Sequence, residues 1–223
     1  MRRSARAVSL LAAVSLLSCF PSRPSVAPLP PTVKSIEGYA SLRLTRDGKT
    51  AKSRLSFVFL IPDRGRVEVI DPLGRTASLL FLVDDQAYLV LPGKRAYWRS
   101  DRDEVMSRLL GFALSPKDLT DILTGRADRL ADWVLEKDGQ GRVVRGHLAD
   151  LRFEIRQFFE PGPLPQLLVF SREEAKGSLR VLRLNFNQSL QADAFRLFFL
   201  DNEAYRSAAW EEVERWLREE AER

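Results

Sequence analysis

The sequence has a single cysteine, Cys19, and a single histidine, His147, among 223 residues. One cysteine excludes an internal disulfide framework. Ser-His or Cys-His catalysis would have to run through His147, which sits among strand residues in "VVRGHLADL" and reads as a structural or surface histidine. Metal-ligand spacing, a P-loop and a Gly-x-Gly-x-x-Gly loop are missing. Acidic pairs such as Glu173–Glu174 fall in a predicted loop and read as a solvated cluster. No catalytic residue, metal or cofactor is therefore expected, and the chain is not read as an enzyme. Lys/Arg runs interleaved with aromatics are missing too, which argues against nucleic acid as a partner. The apolar stretch from Ala7 to Leu17 is too short to span a bilayer as a helix.

What is present starts with Arg2, Arg3 and Arg6 ahead of that stretch, the form of a secretory signal. It ends in Leu16-Leu17-Ser18-Cys19, which resembles the bacterial lipobox, where a cysteine after a small residue is acylated and becomes the new N-terminus. Residues 1–18 are expected to be a lipoprotein signal peptide and Cys19 its lipidation site. Loss of the three arginines brings the formal charge from +5 to +2. The next twelve residues, "FPSRPSVAPLPP", hold five prolines. Such a segment reads as an extended tether over residues 19–33. The folded part is expected from residue 34 onward, long enough for one domain with a sizeable core.

Strand periodicity dominates from Glu37 to Pro92. Ala40, Leu42 and Leu44 alternate with Ser41 and Arg43, Asp47-Gly48 supplies a hairpin turn, and Leu55, Phe57 and Phe59 return on one face. Val67 and Val69 flank Glu68, and "TASLLFLV" and "QAYLVLP" follow across short turns, which implies an antiparallel meander. Two helices come next. Ser100 or Asp101 starts the first, with Val105, Leu109 and Met106 on one face and Gly111 at its end. Ser115 at the N-cap and Pro116 at N1 start the second, which carries Leu119, Ile122 and Leu123 and stops at Gly125. Strands then resume, with Leu151, Phe153 and Ile155 alternating with charges, and Leu182, Leu184 and Phe186 doing the same. About ten strands in one sheet must curl strongly or close, and helices filling its mouth complete the expected architecture. At the C-terminus, Tyr205, Ala209, Val213, Trp216 and Leu217 form an apolar stripe at helical spacing. It predicts a terminal helix over 201–223 docked on the outer face of the sheet, or a partner-binding or lid helix.

One turn does not fit the usual chemistry. In "VEVIDPLGRTASLL", residues 67–80, Pro72 presets φ and Gly74 tolerates φ > 0, and this pushes Leu73 outward where a polar residue is customary.

A lipobox, a tether, a strand meander with "DPLG" at one turn and then "RLLGFALSPKDLTDILTG" resemble, in that order, the LolB family of outer-membrane lipoprotein receptors. Gly111, Leu119 and Gly125 stand at that family's spacing, and the likeness runs from about Ile36 through Phe199. It implies a mainly β fold with α: an incomplete antiparallel β-barrel over residues 34–200, one strongly curved sheet, with helices covering an apolar cavity. The cavity would be lined by Leu42, Leu44, Phe57, Phe59, Val67, Val69, Phe153, Ile155, Leu184 and Phe186, beneath lid residues Val105, Leu109, Leu119, Ile122 and Leu123. The resemblance also implies that Pro72, Leu73 and Gly74 form a membrane-insertion loop. The implied cargo is the acyl chains of lipoproteins, handed over by a soluble LolA-like carrier and inserted into the outer membrane. Phe20 after the lipidated cysteine is not the aspartate that the family's sorting rule reads as inner-membrane retention, so the implied location is the periplasmic face of the outer membrane. Ile122 replaces a customary tryptophan, Phe57 and Phe59 replace a phenylalanine–tryptophan pattern, and the helix after Glu203 has no family counterpart. These departures keep a second expectation open: an anchored lipid-binding or envelope-sensing module with a protein partner at the C-terminal helix.

Overall fold

The computed structural model describes residues 24–46, 48–71, 73–173, 175–191 and 193–221. The expected signal peptide, Cys19, Asp47, Pro72 and Glu174 lie outside the described residues. The chain opens with a two-residue strand β1 (Ser25–Val26) and the long hairpin β2 (Ser35–Arg46) and β3 (Lys49–Leu60). It continues through β4 (Arg64–Ile70), β5 (Thr76–Val83), β6 (Gln86–Leu91) and β7 (Ala96–Asp101). Helices α1 (Arg102–Leu110) and α2 (Pro116–Leu123) follow. The second group of strands is β8 (Val134–Lys137), β9 (Val143–Leu148), β10 (Leu151–Phe158), β11 (Pro165–Arg172) and β12 (Ala175–Phe186). A short β13 (Arg206–Ser207) and helix α3 (Trp210–Ala221) end the chain.

Among the described residues all thirteen strands join one sheet, in the order β13-β7-β6-β5-β4-β3-β2-β12-β11-β10-β9-β8, with β1 against β12. Pairing is antiparallel except for β1 with β12 and β13 with β7. The two meanders meet where β2 pairs with β12, and β8 and β13 remain as edges. The sheet is therefore curved and unclosed, as the strand count and helices predict.

The alternation that sets the faces is clearest in β3. Leu55, Phe57 and Phe59 point to the concave side and are 8%, 4% and 2% exposed. Two glycines let rings lie against the backbone there. A Cβ on Gly38 would come within 2.7 Å of the Phe57 ring, and one on Gly146 within 2.4 Å of the Phe153 ring. Glycine in a strand permits this approach and weakens local rigidity, which suits a bent sheet.

Both helices sit on the concave face. Arg102 at the start of α1 donates its backbone N–H to the Asp85 carbonyl, and the helix crosses to Gly111, whose Cβ position lies 2.7 Å from Ala175. In α2 the Ser115 hydroxyl accepts from the Asp118 N–H at 3.0 Å, and Pro116 occupies the first turn. That is the cap expected from the sequence, worth about 1 kcal/mol in typical helices.

Two terminal segments depart from expectation. Where the sequence suggests a free spacer up to residue 33, Ser25–Val26 extend the sheet along β12, and Val26, Ala27, Leu29 and Val33 pack against the core. The Pro30 and Pro31 carbonyls accept from Arg126 Nη2 at 2.8 Å each. At the other end, the helix begins at Trp210 rather than near Glu203, and it packs on the concave side rather than the outer face. Trp210 lies 4.6 Å from Trp98, centroid to centroid, and Val213 is fully buried in the main core. The outer face of β5–β7 is already taken by Phe199, which packs with Phe81, Tyr88, Tyr97 and Tyr205. The C-terminal segment thus wraps the β7 edge, outside first, then beside it as β13, then inside as α3.

Candidate functional site

Antiparallel pairing places the hairpin tips β2–β3, β4–β5, β9–β10 and β11–β12 at one end of the sheet. Asp71 builds the β4–β5 loop at that end. Its Oδ1 accepts from the Leu73 N–H at 2.8 Å and the Arg75 N–H at 2.9 Å, and its Oδ2 from Arg75 Nε at 2.8 Å. The backbone closes the same loop, with Asp71 N–H to the Arg75 carbonyl at 2.9 Å and Gly74 N–H to the Asp71 carbonyl at 3.0 Å. Gly74 has φ +81°, a conformation that side chains disfavour. The Arg75 and Leu73 N–H groups and the Arg75 side chain hold the Asp71 carboxyl below the usual aspartate range, against a smaller desolvation effect. Leu73 itself touches little and is 76% exposed, the most exposed large apolar side chain among the described residues.

The same five-residue loop is built a second time, at the opposite end of the sheet. In Asp138-Gly139-Gln140-Gly141-Arg142, between β8 and β9, Asp138 Oδ1 accepts from the Gln140 and Arg142 N–H groups at 2.9 and 3.0 Å, and Oδ2 from Arg142 Nε at 2.9 Å. Gly141 has φ +77°. At Asp138 desolvation acts upward, but the Arg142, Gln140 and charge interactions outweigh it and the carboxyl is again lowered. The tip residue here is Gln140, which is polar.

The expected wall residues fall on the concave face, and their burial changes along the strands. Phe57, Phe59, Phe153, Ile155, Leu184 and Phe186 are buried in one continuous cluster. Leu42, Leu44, Val67 and Val69, toward the Leu73 end, are only half-buried. Leu80 on β5 belongs with them, as do Leu109 and Leu110 at the end of α1. The lid residues Val105, Ile122 and Leu123 are fully buried, whereas Leu109 and Leu119 are half-buried. Along β2–β5 and the end of α1 the apolar interior therefore loosens toward the Leu73 end, whereas Leu151, Phe153, Phe170 and Leu179 keep the β10–β12 side of that end buried.

Side chains fill the concave face. Phe112 stacks on Phe170 at 5.6 Å, and Trp133 meets Phe153 at 5.2 Å. Two clefts of about 130 and 200 Å³ lie elsewhere, one beside α2 around Thr120, Asp121 and Arg126, the other around Tyr39 and Arg183. Both are smaller than the ~300–1,000 Å³ of ordinary ligand pockets. His147 is exposed on the outer face of β9, opposite Val134 and Arg152.

Three features of this site escape the sequence reading. Asp71 is the residue that shapes the loop, and an aspartate two positions before an exposed turn residue is a detectable signal for such a clamp. Leu80 alternates correctly but is hidden in a run apolar on both faces. Trp98, Trp210 and Arg108 form a stack over α1, with the guanidinium 5.0 Å from the Trp210 ring centre; its partners are far apart in sequence.

Residues 35–188 match the family model described as outer membrane lipoprotein LolB. The outer-membrane lipoprotein LolB of Cupriavidus taiwanensis is 30% identical over 150 residues, covering 65% of this chain and 74% of that protein. Among solved structures, a LolA superfamily protein from Nitrosomonas europaea superposes with a TM-score of 0.51 at 10% identity, over 77% of this chain and 94% of that one. A lipoprotein-sorting protein domain from Vibrio parahaemolyticus gives 0.53 at 11% identity, over 75% and 92%. These two share the fold alone. The extent of the family match and the identity to the Cupriavidus protein settle membership: the chain belongs to the LolB family of outer-membrane lipoproteins.

Proposed function

We propose that this protein is lipidated at Cys19, held on the periplasmic face of the outer membrane, and inserts lipoproteins delivered by a LolA-like carrier into that membrane. The observation that carries the proposal is Leu73, an aliphatic side chain held in solvent by a loop that is otherwise fully bonded to itself. An exposed leucine has no stabilising contact in water, but in hydrocarbon it gains roughly 25 cal/mol per Å² of apolar surface covered. The family membership and the half-buried apolar mouth at the same end support the same reading.

Transfer requires no covalent step. Acyl chains entering between Leu42, Val67, Val69 and Leu80 on the sheet and Leu109 and Leu110 on α1 would displace side chains that now pack on one another. Such an aliphatic wall is non-directional, which suits cargo with common acyl chains and different protein parts. The direction of β1 supports the anchoring role, because Ser25 pairs with Arg183 and Val26 with Leu184 in parallel. The N-terminal end of β1 therefore points toward the end that carries Leu73. The apolar side of α3 is occupied by the core, so a protein partner would meet its charged face.

The test is Leu73→Glu. The variant should fold and accept acylated cargo from a carrier, yet fail to release it into liposomes, because a carboxylate must be desolvated at the headgroup boundary. Leu73→Phe should deliver. A Leu73→Glu protein that delivers as the parent does would favour an anchored lipid-binding module without insertion activity.

A further inference from the structure

The outer face of the sheet beside the Leu73 loop carries a grid of cations. On β2 Arg43 stands directly opposite Lys52 of β3, and on the other side it faces Ser178 of β12. Two residues along, Arg54 of β3 lies opposite Ile70, the last residue of β4 before the Leu73 loop. Lys176 and Arg180 of β12 occupy the same face at the neighbouring levels, opposite Thr45 and Ser41. Arg43, Lys52, Arg54 and Lys176 are all exposed. Among the described residues none of these four makes an ion pair or side-chain hydrogen bond. Several surface cations elsewhere are matched: Arg75 with Asp71, Arg142 with Asp138, Arg172 with Asp150, Arg206 with Glu212.

Like charges directly opposite on paired strands destabilise a sheet. The arrangement therefore works against the isolated domain and needs an anionic counterpart to become favourable. The β2–β3 hairpin runs past the level of Ile70, so a surface that receives Leu73 meets this hairpin as well. Clustered Lys and Arg beside an apolar insertion point are the chemistry that holds an anionic bilayer surface. We propose that Arg43, Lys52, Arg54 and Lys176 form a docking surface for anionic phospholipid headgroups, which seats the domain with the Leu73 loop against the bilayer. This rests on the reading of Leu73 as a membrane-insertion residue, and adds lipid selectivity to it.

The test uses the full chain carrying Cys19→Ala, so that no acyl anchor dominates the measurement. Co-sedimentation compares vesicles of phosphatidylcholine alone with vesicles of phosphatidylcholine and phosphatidylglycerol in equal parts. The parent should prefer the anionic vesicles and lose that preference as salt is raised. Replacing Arg43, Lys52 and Arg54 together by alanine should lower anionic binding by roughly a hundredfold, at about fivefold per cation. The melting temperature should hold or rise, since no ion pair is removed and the Arg43–Lys52 repulsion is relieved. Leu73→Glu on the same background should keep the anionic preference while failing in delivery, which separates the two claims. Equal binding of the parent to both vesicles, or full anionic binding by the triple variant, would overturn the proposal and leave the grid to an acidic protein surface, whatever Leu73→Glu does.

Discussion

The loops Asp71–Arg75 and Asp138–Arg142 have the same aspartate clamp, the same left-handed glycine and the same arginine closing the ring, yet one lifts a leucine and the other a glutamine. Since Gln140 fills the tip without disturbing the clamp, the loop geometry does not call for an apolar residue. Leucine at position 73 must answer to something outside the loop. The two also lie at opposite ends of the sheet, so only one faces the half-buried mouth. A fold thus contains its own control for which features of the Leu73 loop are structural and which are not.

The largest expected effect comes from exchanging the tips. Leu73→Gln should cost most of the delivery into liposomes with a melting temperature close to the parent, and adding Gln140→Leu should not restore it. Rescue by the second change would mean that any exposed leucine serves, and the difference between the ends would lose its meaning. Next come the clamps. Asp71→Ala and Asp138→Ala should lower the melting temperature by similar small amounts, but only Asp71→Ala should slow delivery, because it frees Leu73 from its outward pose. A smaller effect is expected at the glycines. A side chain at φ near +80° costs about 1–2 kcal/mol, and nothing lies within 4 Å of a Cβ at Gly74 or Gly141. Gly74→Ala and Gly141→Ala should therefore destabilise alike, read as matched shifts in thermal melts. The smallest effect is that of acid. Both carboxyls are lowered in the folded protein, so their contribution is complete above the ordinary aspartate pKa of 3.8 and is lost as pH falls through the depressed values. Amide exchange at both loops should quicken together only in that acidic range; a change nearer neutral pH would show that the clamps are not the cause.

Alternation made the concave face legible. Phe57 and Phe59, two residues apart on β3, and Phe153 and Ile155 on β10 are inside because the pleat sends every second side chain the same way. The α2 start was legible from Ser115-Pro116, which has one favourable local conformation. The termini were not legible, for a different reason in each case. The Pro-rich segment offers few N–H donors, but its carbonyls still accept, and Arg126 and Asn187 use those of Pro30, Pro31 and Thr32. Proline content reports what a segment cannot donate and is silent on what it can receive. At the C-terminus Tyr205 and Val213 share a helical spacing but end on opposite faces of the sheet. The apolar period cannot register that the chain passes round an edge between them. The extent of free space inside the barrel was equally hidden, since a hollow wall and a packed core have the same alternating pattern.

The parallel seating of Ser25–Val26 beside β12 has a mechanical consequence. With acylation at Cys19, only six residue steps separate the acylated residue from the fixed strand, a leash of about 20 Å at full extension. The twelve-residue strands β2 and β3 are nearly twice that long, at about 3.3 Å per residue. A body longer than its leash cannot tumble end over end beneath the membrane, and it sweeps only a narrow cone of orientations. β1 is seated toward the end opposite Leu73 with its N-terminal end directed at the loop. A leash continuing that way would bring the Leu73 loop to lipid at a high local concentration, and delivery would be limited by the arrival of cargo and not by the search for the bilayer.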